Sequence, residues 1–264
     1  MLDRLLSISL LVFHLFCVTT SFQLVGQSIR IVPTSRSTHS WLTATSSSEE
    51  ASSSSSSNAL SSTTGTSVRF LGRGKNAIVR PGCVLVAPPD EYHHFLRQAA
   101  VFIYAMGEDE YDTFVIRGAI IDHPTPFTMQ EMMASDGDND GAQVPQCLQN
   151  LLYRGGELGD AAFMLHSDAK LGELANLEMI GTSGIYQGGL DHAMSNNYAL
   201  DPSKAKFFFS YMEFTEAELE EMLENREEES TQWVSVEVPP EFVLSSEWDR
   251  GEAWSRLRNA VREM

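Results

Sequence analysis

An α+β domain is expected here: a single compact unit with a mixed or mostly antiparallel sheet and about four helices packed on it. Short apolar runs follow one another with Gly- or Pro-bearing turns between them, as adjacent strands do. Helical signals come as isolated stretches, two of them opened by a capping box. The regular alternation of strand and helix that builds a parallel sheet is missing.

Taken in order, Gly82–Ala87 (GCVLVA) predicts a first strand, stopped by Pro88-Pro89. Phe95–Leu96 and Ala99–Tyr104 predict a second, and Gly107–Asp112 an acidic turn. Phe114–Asp122 is the third, rich in branched side chains that suit a buried pleated surface. Gly118 in its middle marks a bulge or a close backbone neighbour, and Asp122-His123-Pro124 should end it. Thr128–Met133 predicts a short helix with Met129, Met132 and Met133 on one side.

Ser135–Gln143 imitates the start of a calcium-binding loop, but the position that needs a bidentate glutamate is Cys147, so an acidic loop is expected instead. Leu151–Arg154 and Ala162–His166 are short strands, followed by Ile185–Gln187 and a small helix at Leu190–Met194. Phe207–Phe214 (FFFSYMEF) should be a central strand. Thr215 and Glu218 form a capping box for an acidic helix over residues 215–229, whose buried face is Leu219, Met222 and Leu223. Glutamates at its C-terminal end oppose the helix dipole and predict fraying there. Trp233–Val238 alternates as a strand with one wet face, ended by Pro239-Pro240. Asp249 and Glu252 form the second capping box, with Trp254, Leu257 and Val261 facing inward and Arg256, Arg258 and Arg262 suited to the C-terminal half of the helix.

The front of the chain differs from the rest. Leu5–Val18 is an apolar run too short to span a bilayer, which predicts a signal peptide over residues 1–21. Phe22–Ser48 has no acid, two arginines (Arg30 and Arg36), His39 and many hydroxyls, the composition of a transit peptide, and serine-rich low complexity continues to residue 66. This bipartite leader, with Phe22 at the junction, resembles the plastid-import presequence of algae with complex plastids. The alternative is a secreted or endomembrane protein with a serine-rich linker. The folded domain is expected over 67–264, with no membrane association in the mature form.

The formal charge is −18. The leader's Arg4, Arg30 and Arg36 offset Asp3, Glu49 and Glu50, so that charge rests on the domain. A phosphate backbone would be repelled, which argues against nucleic-acid binding, and Arg69, Arg73, Lys75 and Arg80 are expected to form a solvated lead-in. The acidic helix suits a basic protein partner. Cys83 and Cys147 are too few and too far apart for a disulfide framework or a CxxC motif.

The order of elements and their punctuation resembles the YqgE/AlgH family. Gly82–Pro88 matches a G-x-L-x-A-x-P strand, Gly118–Pro124 (GAIIDHP) a strand of the type G-L-I-I-N-R-P, and Gly155-Gly156-Glu157 a Gly-Gly-Pro turn. Phe163–His166 matches a strand ending in histidine, and Tyr186–Leu190 a second Gly-Gly of the plant-plastid branch. Tyr211, Leu219 and Glu220 survive from a G-Y-A-G-W block and the helix after it, and Trp254 matches the tryptophan of the last helix. The pattern's glycines and tryptophan are replaced by Ser210, Glu213 and Phe214, its Asn-Arg by Asp122-His123. The resemblance implies the fold and a plastid branch; the family has no settled activity.

No catalytic, cofactor or metal motif stands out. A nucleophile elbow and a phosphate loop are both missing, and His93-His94 lack zinc spacing. Asp122, His123, Gly155, Gly156, Glu157, His166 and Tyr211 are candidates for one cleft, where a carboxylate–histidine pair could do acid–base work. The competing expectation is that these polar residues cap strands and bond loop backbone. Two functions stay open: a non-catalytic interaction or regulatory domain of the plastid, or a small-molecule-binding or hydrolytic domain using the Asp-His pair.

Overall fold

The computed structural model describes residues 67–134, 145–224 and 228–262. The leader (1–66), the calcium-like segment Ser135–Gln143 and Glu227, the first residue of the end expected to fray, lie outside the described residues. Ten strands make one mixed sheet: β1 (Arg69–Arg73), β2 (Val84–Val86), β3 (Ala100–Glu108), β4 (Phe114–Ile120), β5 (Pro124–Thr128), β6 (Leu151–Arg154), β7 (Leu158–His166), β8 (Tyr186–Gln187), β9 (Ala205–Thr215) and β10 (Val234–Glu237). The α-helices number six among the described residues, against about four expected: α1 (Met129–Ala134), α2 (Ala169–Leu174), α3 (Leu190–Ser195), α4 (Glu216–Glu224), α5 (Pro240–Leu244) and α6 (Glu252–Arg262).

The path across the sheet is β1-β10-β2-β3-β4-β9-β6-β5, with β7 on β9 and β8 on β7. All pairings are antiparallel except β6 with β9. Side chains alternate between two cores: Val84, Val86, Phe102 and Ala119 face one, under α5 and α6, while Leu85, Val101, Ile103 and Ile120 face the other, under α4. A third cluster gathers Met129, Leu171, Leu190 and Phe207 beneath α1, α2 and α3. Among these, Ile120 and Phe208 have no exposed surface.

The long strand β9 is the hub. Its C-terminal half (Met212–Thr215) pairs with β4, and its N-terminal half (Phe207–Phe209) with β6. The two partners share one edge of β9, and Gly155-Gly156 marks the change. A Cβ on Gly155 would stand 2.4 Å from the Ser210 carbonyl oxygen, and one on Gly156 2.1 Å from Tyr211 backbone. Opposite that change Ser210 has φ 64°, a left-handed conformation that favours glycine. The pattern that the sequence resembles has glycine at this position, and Ser210 adopts a glycine-type backbone there. Gly118 meets the expectation of crowding in the same way: its Cβ would lie 2.5 Å from Val101 Cγ1, and the facing β3 shifts register between Ile103 and Ala105.

Several expectations are corrected. Arg69–Arg73 is an edge strand and not a solvated lead-in, held to β10 with Arg69 and Arg80 both paired to Glu237. Phe95–Leu96 lies outside β3, which extends instead to Glu108. Pro124 opens β5 after a three-residue break, a place at the start of an edge strand where its missing N–H costs nothing. β10 has no wet face at Ser235, which is fully buried and donates to the Ile78 carbonyl at 2.7 Å. The acidic helix ends at Glu224, not at 229. Arg258 is buried and donates to the carbonyls of Ala87 (2.8 Å) and Gln232 (2.9 Å).

Candidate functional site

β4 carries an apolar run to its end, where the chain must turn toward β5. That turn puts Asp122 and His123 in different surroundings. Asp122 is fully buried, and its Oδ2 accepts from the Trp254 N–H of α6 at 3.1 Å. Burial pushes its carboxyl up to about 6, opposed by that N–H and by Lys206.

Lys206 completes this interior. It is fully buried on β9, with Nζ donating to the carbonyls of Ile121 (2.7 Å), Ser245 (2.5 Å) and Val243 (3.4 Å). It sits 3.8 Å from the Tyr153 ring centroid, and the Tyr153 hydroxyl donates to the Ser246 carbonyl at 3.0 Å. An ammonium has three N–H donors, and three carbonyls meet them. Two of those carbonyls lie at the end of α5, where positive charge is favoured. Burial drives the ammonium well below the usual lysine range, and Asp122 opposes that. Lys206 thus ties the end of β4 to the end of α5; its protons are spent on backbone.

His123 faces the other way, into an open pocket of about 230 Å³ lined also by His94, Phe95, Thr125, Arg154 and Arg250. Its own surface is 7% exposed, and Nε2 has no hydrogen-bond partner among the described residues. Burial, then Arg250, Arg154 and His94, hold the imidazole down to about 4, so it is neutral at pH 7. No hydrogen bond or ion pair joins it to Asp122 among the described residues. Arg154 is positioned by its neighbours: Nε donates to the Gly156 carbonyl at 3.3 Å, and the guanidinium lies 4.5 Å over the Phe95 ring.

The other sequence candidates spread out. Glu157 approaches His93 Nε2 at 3.6 Å, two residues from Phe95 of the pocket. Tyr211 carries the Arg117 guanidinium 5.4 Å over its ring, and Arg117 pairs with Glu213 at 2.5 Å. His166 lies opposite Ala205 on β9, whereas Arg154, beside His123, lies opposite Phe209, four residues further along the strand. His166 is fully buried, stacks on Tyr186 and accepts from the Asp168 N–H at 3.2 Å; burial holds it down to about 4. Asp168 in turn caps α2. His123 and His166 therefore belong to separate places.

The family-pattern positions hold the frame. Gly82 has φ 93° against the Ile180 carbonyl, Trp254 Nε1 donates to the Ala87 carbonyl beside Pro88 at 2.7 Å, and Leu219 is buried while Glu220 is exposed. Sequence reasoning missed Lys206, Arg154 and Arg250. A lone lysine leading an aromatic strand, AKFFF, was the available signal for the first; for the arginines nothing but their spatial convergence distinguishes them. Among the described residues no group of three or more His, Cys, Asp or Glu could hold a metal ion, and no helix is long and apolar enough to cross a membrane.

A family model described as AlgH-like matches residues 84–263. No curated protein matches the chain. Among solved structures, protein DIP2367 from Corynebacterium diphtheriae is similar at TM-score 0.50 and 16% identity, covering 71% of this chain and 88% of that one. The AlgH protein from Pseudomonas aeruginosa gives TM-score 0.46 at 16% identity, covering 69% and 86%.

Proposed function

This chain belongs to the AlgH-like family, and from that premise we propose that it is a non-catalytic interaction or regulatory domain working in a plastid. The observation that carries the reading is the fate of the groups that could do acid–base chemistry. Asp122 is enclosed under α6, Lys206 is consumed by three carbonyls, and His166 caps a strand. A general base must reach the proton it takes, and these groups face backbone. The partner surface is α4, whose exposed Glu216, Glu218, Glu220 and Glu224 suit a basic protein. Reversing Glu220 and Glu224 to Lys should abolish capture of that partner from isolated plastids, with the unmodified domain retaining it. Equal capture by both removes α4 from the account.

The acidic surface disfavours nucleic acid. Import is proposed to use the leader: a fluorescent fusion of residues 1–66 should label plastids, and Phe22→Ala should divert it to the secretory route. Plastid labelling indifferent to Phe22 would contradict that.

A second reading, small-molecule binding, is favoured by the pocket at His123. Of the Asp-His pair, only the histidine is available to a ligand.

A further inference from the structure

We propose that the pocket lined by His123, Arg154 and Arg250 binds a small phosphate-bearing anion. This rests on the second reading above and names its ligand class. The first support is charge. In a chain of net charge −18, Arg69, Arg73, Arg80, Arg117 and Arg256 are each paired with a glutamate. Arg154 and Arg250 have no ion pair among the described residues, and no carboxylate lines their pocket. Two guanidinium groups from different parts of the chain, β6 and the segment before α6, converge there with two imidazoles. Such a grouping repels itself, which is one reason His123 stays neutral, and an anion relieves it.

The second support is an unmet polar group. His123 is more than nine-tenths buried, lines the pocket and has Nε2 without a partner. A buried ring nitrogen left unbonded costs free energy, and a ligand atom in the pocket removes that cost.

The third is shape. A pocket of about 230 Å³, open on one side to solvent, has room for a compact anion such as a phosphate group. A planar carboxylate is satisfied by one guanidinium fork, whereas a tetrahedral phosphate offers acceptors in several directions to two. Two fixed positive charges also match a phosphomonoester, which carries about −1.5 to −2 at pH 7. Phe95 and Pro124 give the pocket an apolar wall for the carbon part of such a ligand.

The test is a titration of the full chain followed by histidine side-chain NMR. Inorganic phosphate and phenyl phosphate are the probes, with succinate and chloride as comparisons. The expected result is a saturable response of His123 to both phosphates, at lower concentration than to succinate or chloride. Arg250→Gln and Arg154→Gln should each weaken it about tenfold or more, as loss of a charge-assisted hydrogen bond does. Lys170→Gln, on α2, should leave it unchanged. Thermal unfolding without ligand establishes that each variant is folded; if Arg154→Gln is not, Arg250→Gln decides. No saturable response in the wild type, an undiminished response in folded Arg250→Gln, or tighter binding of succinate would each overturn the proposal. None of these outcomes touches the capture experiment on α4, so the two readings fail separately.

Discussion

Asp122 and His123 are adjacent in one motif, and they live in opposite surroundings. On the Asp122 side the surroundings are structural: the Trp254 N–H donates to its Oδ2, Lys206 favours its charge, and its Oδ1 is buried with no hydrogen-bond partner among the described residues. On the His123 side there is open volume, with two guanidinium groups that have no ion pair and a ring nitrogen that has no hydrogen-bond partner among the described residues. The turn after β4 forces this division, because the chain leaves β9's edge at that point to run beside β6. A single short motif can therefore contain both a structural lock and a binding position, and residue type alone does not separate them. The open pocket, which His123 lines and Asp122 does not, is what separates them.

The sharpest way to break the comparison is to open the closed side. Lys206→Met should cost about 3–5 kcal/mol of stability, because it leaves the Ile121 and Ser245 carbonyls unpaired beside a buried Asp122. Urea unfolding measures it; a loss under one kcal/mol would mean that Lys206 is not a lock. Phe208→Ala in the same interior should cost about 3–5 kcal/mol through lost burial and the cavity left behind.

A gentler test uses pH. His123 and His166, both held down to about 4, contribute stability that is present above about 6.5 and lost as pH falls through about 4. Asp122, pushed up to about 6, acts in reverse: its contribution is full below 3.8 and lost as pH rises through about 6. Two histidines outweigh one carboxylate, so stability should rise from pH 4 to 6.5. Each histidine's part is on the order of 3 kcal/mol. His166→Gln should flatten the rise and Asp122→Asn should steepen it, both followed by denaturant midpoints across that range. A rise unchanged in His166→Gln would contradict the burial argument.

The smallest effect sharpens the hub. Ser210→Gly should stabilise by up to about 1 kcal/mol, if relief of Cβ strain at φ 64° exceeds glycine's extra folding entropy and the lost Ser210 hydroxyl bond to the Gly159 carbonyl. A clear destabilisation would show that this hydrogen bond outweighs the strain.

The sheet was largely legible because its strands announce themselves. Val115, Ile116, Ile120 and the aromatics Phe207–Phe209 sit where branched and aromatic residues pack best, and the Thr215–Glu218 capping box forms with the Glu218 carboxylate 2.8 Å from the Thr215 N–H. Two helices escaped notice for identifiable reasons. α5 begins at Pro240, so the Pro239-Pro240 pair that stops β10 also starts a helix. α2 is short, and its signal, Asp168 capping the N–H groups of Lys170 and Leu171, was overlooked beside His166. The site was legible only in part. Asp122 and His123 stand out by motif, but Lys206 lies 84 positions after Asp122 and Arg250 lies 127 after His123. Such pairs meet through sheet order and helix docking, which no local pattern records.

The most direct test of the division between the two sides is the phosphate-dependent rise in thermal unfolding temperature, measured on Lys206→Met and His123→Ala together. The structural side should control the baseline and the pocket should control the response. Lys206→Met should unfold at a lower temperature yet keep its rise with phosphate, while His123→Ala, whatever its own baseline, should lose most of that rise. A folded Lys206→Met that no longer responds, or a His123→Ala that responds in full, would contradict the account.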